Sequence, residues 1–345
     1  MTLGSIKKLM IASLLSITGG ARGKILLVVM AVWLLLITGF AWYWSIEPNS
    51  FPVQESAKQM AASRGHKIVE GYTTVATLYR VTNTLLTKSG GYLSNDIMPP
   101  GVFLDNMQNW EHGVLTQVRD MARALRRDFS RYQSQSKEDP DLAVAEPQFN
   151  FSSKSWMLPA TETEYQRGLN LLDSYMSRLS DKQDDAQIYT RADNLSQWLA
   201  DVETRLGSLS QRLSACVGKS NLNTYLEEYS AASQLKNNKN NVSINTPWSK
   251  LDDIFYEARG TSWALIHLLH ATEIDFIDIL KNKNAQVSLK QIIWELENTQ
   301  GSVWSPMILN GSGFGLIANH SLVMANYISR ANAAMIELRR LLEKG

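Results

Sequence analysis

The chain has 345 residues, 34 basic and 33 acidic, a net charge of +1 and one cysteine. With 20 Gly, 9 Pro and 44% hydrophobic side chains it is neither collagen-like nor low-complexity, and a lone Cys216 excludes a disulfide scaffold. The even charge balance argues against a nucleic-acid protein, and the length suffices for one or two domains.

Residues 1–24 carry Lys7, Lys8, Arg22 and Lys24 and no acid. Ile6–Ile17 is too short to cross a bilayer and is expected to lie on the inner membrane face as an amphipathic helix. Residues 25–44, ILLVVMAVWLLLITGFAWYW, form an uncharged run ending in three aromatic residues. At about 1.5 Å of helical rise per residue it reaches about 30 Å, the thickness of a hydrocarbon core. Trp42, Tyr43 and Trp44 suit the headgroup level. The next cation after the run is Lys58, so the positive-inside rule keeps the N-terminus in the cytoplasm and carries the rest across. A cleaved signal peptide is the rival reading. The run exceeds the usual apolar core of such peptides, and no A-x-A-like site follows it.

Beyond the anchor the apolar residues recur at steps of three and four. They do so at Ile68, Tyr72, Val75, Tyr79, Thr82 and Leu86, and again from Val114 to Tyr132 and from Tyr165 to Leu179. The longest run goes from Ile188 through Leu199 and Leu209 to Cys216, and the last from Met324 to Leu342. This spacing predicts helices near 53–88, 112–133, 161–181, 184–217, 221–236, 247–283, 287–299 and 316–343. Thr161–Glu164 and Ser288–Gln291 have capping-box spacing, and Thr246-Pro247 places a cap before a helical proline. The expected fold is all-α: one transmembrane helix followed by an elongated antiparallel bundle, with a region at 47–235 and a C-terminal region at 247–345 packed on it. The 188–216 seam, about 42 Å long, could also pair with a second copy of the chain.

Two stretches read as long loops, 89–109 and 134–160, and their aromatic residues argue against simple disorder. The Asn-rich segment 236–245 reads as a solvated connection. Gly311–Gly315 reads as a flexible turn rather than an anion cradle.

The wording GGYLSND–PPGVFLDNMQNWEHGVLTQVRDMARALRRDFSRYQSQSKEDPDLAVAEPQFNF, residues 90–151, resembles the domain-of-unknown-function family numbered 2333, a family of proteobacterial membrane proteins. The resemblance implies one membrane anchor and an exported body, and transfers no catalytic residue.

Candidate chemistry is sparse. Asp105 and Glu111, with Asp96 and His112 nearby, could serve as acid and base on a glycan if their carboxyl groups lay about 5–10 Å apart. The plainer reading is turn chemistry around Pro99-Pro100-Gly101 and a helix start. His267, His270 and Glu273 have a spacing that can ligate zinc, yet HExxH is absent and the surroundings are apolar, which favours packing histidines. Arg119, Arg123, Arg126, Arg127 and Arg131 form a basic stripe. It would bind an anionic partner or pair internally with acidic helices such as 252–257 or 273–278. Cys216 closes a seam and reads as packing. No nucleotide or cofactor motif occurs, so no cofactor is expected.

The expected function is therefore a single-pass inner-membrane protein whose periplasmic helical body is a non-catalytic binding or scaffold module, partnered by the bilayer through Ile25–Trp44 and by envelope proteins. The alternative is an anchored periplasmic enzyme acting on cell-wall glycan through the loop carboxylates.

Overall fold

The computed structural model describes residues 21–131, 137–181, 183–214, 250–301 and 320–344. The expectations for Ile6–Ile17, Cys216, the helix at 221–236, the Asn-rich connection, Thr246-Pro247 and Gly311–Gly315 fall outside them. Among the described residues there is no strand, and the fold is all-α.

The first helix, α1 (Ala21–Trp44), contains a 21-residue stretch, Lys24–Trp44, that is long and apolar enough to cross a membrane. That stretch has no polar face. α2 (Val53–Arg64) and α3 (Tyr72–Thr87) follow. The sequence pattern joins them into one helix, but the chain breaks between Gly65 (φ 68°) and Gly71 (φ 79°). A side chain at Gly71 would overlap Ile188, so this turn is also a close packing point. Ile68, inside the expected stripe, is exposed in the turn.

α4 runs from Asp105 to Ala124 and continues as a π turn over Leu125–Phe129, where Ser130 N–H donates to Leu125 O at 3.0 Å. It therefore starts seven residues before the expected 112. The 134–160 stretch is not all loop, because it holds α5 (Pro140–Phe149). Asp139 caps that helix by accepting from Asp141 N and Leu142 N, and Pro140 sits at its first position. α6 (Thr161–Ser180) begins where expected, but Thr161 Oγ1 donates to Ser152 O and Ser155 O rather than closing a capping box. Residues 184–191 are not helical, so α7 is Ala192–Ser214. The expected 247–283 helix divides at Phe276 into α8 (Leu251–Asp275) and α9 (Ile277–Asn282). α10 (Gln286–Asn298) starts two residues ahead of Ser288, and α11 is His320–Glu343.

α8 is the centre of the bundle, touching α3, α4, α7, α10 and α11. That accounts for its apolar run WALIHLLH: a helix enclosed on all sides is hydrophobic all round. Its closest neighbour is α4, and two glycines set that approach. A Cβ at Gly113 would overlap the backbone of Glu257 and Thr261, and one at Gly260 would overlap the backbone of Trp110. The α7 seam faces α11 within the same chain. Leu195, Leu199, Val202, Leu206, Leu209 and Leu213 are buried, as are Ile328, Ala331, Met335 and Leu338 opposite. One continuous cluster of buried side chains runs from Ala57 to Leu342, so the C-terminal helices share the core of the earlier ones.

Candidate functional site

The segment after α1 is tied to the bundle at two points. Glu47 accepts from Arg259 at 2.8 Å (Nε to Oε1) and 2.6 Å (Nη2 to Oε2). Arg259 is buried and gives its remaining nitrogen, Nη1, to Thr299 O and Gly301 O. Four residues further on, Phe51 stacks on His267 with centroids 4.0 Å apart, and Arg80 lies over the Phe51 ring at 4.3 Å. Phe51 N–H donates to His267 Nε2 at 3.0 Å, while His267 Nδ1 lies 2.6 Å from Trp263 O. His267 therefore carries its proton on Nδ1 and uses both ring nitrogens. Burial pushes its pKa down to about 4, against the pull of the Trp263 carbonyl.

His270 points elsewhere, towards Glu273 (3.5 Å) and Glu297 (3.7 Å). Of the candidate ligands His267, His270 and Glu273, only the last two lie together, while His267 packs on Phe51 and Trp263; no group of three side chains that could hold a metal ion occurs among the described residues.

Next to this junction stand the two loops. Gly90 (φ 82°) rests on Trp44, where a Cβ would come within 2.7 Å of the indole Cγ. Below the turn lies Glu111, fully buried, whose carboxylate accepts from Lys88 Nζ, Leu93 N and Ser94 N, each at 2.8 Å, and from Ser94 Oγ at 2.5 Å. Burial pushes the Glu111 carboxyl up, opposed first by Lys88. Glu111 is thus a tie for residues 88–94 rather than the helix-start residue suggested by its sequence position. Asp105 is exposed at the first position of α4, with Oδ1 accepting from Asn106 N. One carboxylate is on the surface and the other in the core, so the structure does not bring them together on one face.

The loops are joined to each other. Tyr92 Oη donates to Ser153 O at 3.2 Å, and Asn95 Nδ2 donates to Ser155 O at 2.9 Å and Glu162 Oε2 at 2.8 Å. Their tips carry exposed apolar side chains: Ile97, Met98, Val102 and Phe103 on one, Trp156, Met157 and Leu158 on the other. Leu158 is 90% exposed at φ 51°, a left-handed conformation that a leucine adopts only under strain.

The arginine stripe is largely engaged within the chain. Arg119 donates to Phe149 O and Phe151 O, fixing the start of the second loop. Arg123 pairs with Asp120, and Arg126 with Glu138 and Glu146. Arg131 lies 3.9 Å from Glu138. These partners replace the 252–257 and 273–278 helices expected from sequence; Glu257 is held by Arg212 instead. Arg127 is exposed beside a cavity of about 440 Å³ that Asp128 and Asp201 also line. His112 borders a smaller cavity of about 220 Å³ against α7 and α8, into which the buried Gln117 presents an amide with no protein partner.

Sequence reasoning missed Glu47, Phe51, Lys88, Asn95 and Arg259. Each acts through a partner distant in sequence, which leaves no periodic mark. Asp139-Pro140 was the one readable signal for α5.

A family model described as an uncharacterized protein conserved in bacteria (DUF2333) matches residues 18–345, nearly the whole chain. No curated protein and no solved structure matches.

Proposed function

The chain belongs to that bacterial family, and from this premise we propose that it is a single-pass inner-membrane protein whose helical body is a non-catalytic binding or scaffold module on the periplasmic side. The observation that carries the reading is the double tie after α1: Glu47 to Arg259 and Phe51 to His267. A body fastened within seven residues of its anchor has a set orientation at the membrane surface, as a scaffold requires and a tethered, freely swinging domain does not. The flanking charge supports the direction of insertion, with four cations before the span and none between Trp44 and Lys58. The internal pairing of Glu111, Arg119, Arg123 and Arg126 leaves these groups committed to holding the bundle.

The test is chemical crosslinking of the full chain in its own membrane, with mass-spectrometric identification of the captured proteins. A chain lacking residues 53–345 but retaining α1 is the control. Envelope proteins captured reproducibly by the full chain alone are the expected result. The same set captured by the anchor alone would contradict the scaffold role.

A further inference from the structure

Among the described residues that follow α1, half of the exposed large hydrophobic side chains sit on the tips of the two joined loops, while the rest are dispersed over the helices and connecting turns. Met98 and Phe103 are 71% and 72% exposed, and Leu158 is held outward at 90% by a strained backbone. A soluble surface minimises such a patch, so one built from several segments marks a contact. Its place in the fold says with what. The base of the first loop packs on Trp44, the last residue of the apolar span, through Gly90. Ala41 and Ile37, one and two turns back on the same face of α1, are half-buried like Trp44. Trp42 and Tyr43 stand exposed on the other side of that helix end. The loop surface therefore has its base at the level at which the span would leave the hydrocarbon. Its composition of Trp, Phe, Met and Leu, with the exposed Lys154 at the rim, is that of an interfacial membrane contact.

We infer that the apolar tips of loops 96–104 and 151–160 form a second, non-spanning membrane contact, inserting Met98, Phe103, Trp156 and Leu158 at the headgroup–acyl boundary of the bilayer that α1 crosses. This rests on the reading of α1 as a span. Together with the ties at Glu47 and Phe51, the contact gives the body a third point of attachment beside its anchor.

The experiment uses the full chain with Cys216→Ser and one of four single cysteines: Phe103→Cys, Met157→Cys, Leu35→Cys in α1, or Val287→Cys. Val287 is 77% exposed and apolar, at the end of α10 remote from Thr299 and the Glu47–Arg259 tie. That separation is about 18 Å at helical rise. Each cysteine is labelled with the fluorophore NBD. The protein is reconstituted into phosphatidylethanolamine–phosphatidylglycerol vesicles, with or without lipids spin-labelled at acyl carbons 5 and 12. Labels at 103, 157 and 35 are expected to be quenched at least twofold more than the label at 287. Quenching at 35 with 103 and 157 no more quenched than 287 overturns the loop contact and leaves the anchor standing. An unquenched label at 35 overturns the anchor, and the inference with it. Because only lipid is present, quenching at 103 and 157 cannot come from a protein covering the patch.

Discussion

Arg259 in the middle of α8 grips Glu47, three residues past the end of α1, through both carboxylate oxygens. The arginine side chain is 8% exposed and the glutamate side chain 19%. Breaking such a pair from one side leaves a charge behind with its desolvation uncompensated. Arg259→Ala is expected to lower stability by about 3 kcal/mol. Glu47→Gln, which keeps an acceptor, is expected to cost less. Thermal unfolding of the detergent-solubilised chain checks both. Equal small losses would mean that the tie contributes little.

The Lys88–Glu111 pair is more deeply buried, with side chains 2% and 0% exposed. Lys88→Met leaves Glu111 in the core with its hydrogen bonds to Leu93 and Ser94 but no counter-charge, at a cost of about 3–5 kcal/mol. Adding Glu111→Gln removes the stranded charge and is expected to recover most of that loss. Hydrogen exchange at the Leu93 and Ser94 amides should quicken in the single variant. An additive double variant would contradict the coupling.

At the α4–α8 crossing, Gly113→Ala and Gly260→Ala each drive a methyl group into neighbouring backbone, which cannot move aside as a side chain would. Losses of several kcal/mol, or failure to fold, are expected of both. Gly207 on α7 is the contrast. The nearest atom to its Cβ position is Asn332 Nδ2 at 3.5 Å, so Gly207→Ala should raise stability by up to about 1 kcal/mol through helix propensity. Chemical denaturation of the three variants ranks them.

His267 predicts an acid dependence. Its pKa is lowered to about 4 by burial, helped by the electrostatic influence of His270 and Arg80, against about 6.5 for a free histidine. A depressed pKa means that the folded chain refuses a proton the unfolded chain accepts. The stability it contributes is whole above about pH 6.5 and is lost as pH falls towards 4, up to about 3 kcal/mol. The carboxylates titrate in the same window, so the readout is a difference: His267→Gln should flatten the stability profile between pH 6.5 and 4 relative to the unaltered chain. Parallel profiles would remove His267 as the cause.

The sequence made the seams legible because a helix that buries one face must repeat its apolar residues at steps of three and four. Leu195 to Leu213 and Met324 to Leu342 lie where that rule puts them. The rule misleads where periodicity crosses a turn by coincidence, as at Ile68, and it cannot see the short α5, whose ten residues include two prolines. It is also silent about which seam faces which. The α7 seam turns to α11 of the same chain, a choice set by packing around α8. The loop surface was the least legible part. Tyr92 and Asn95 reach carbonyls about 60 residues away, and hydrogen bonds to backbone leave no residue-type signature at the accepting end.

The proposed topology puts the body across the membrane from the N-terminus. Fusions placed after Gly345 measure this in living cells. Alkaline phosphatase, which folds only outside the cytoplasm, should be active there, and green fluorescent protein, exported unfolded by the same route, should be dark. A bright fluorescent fusion with an inactive phosphatase would contradict the account.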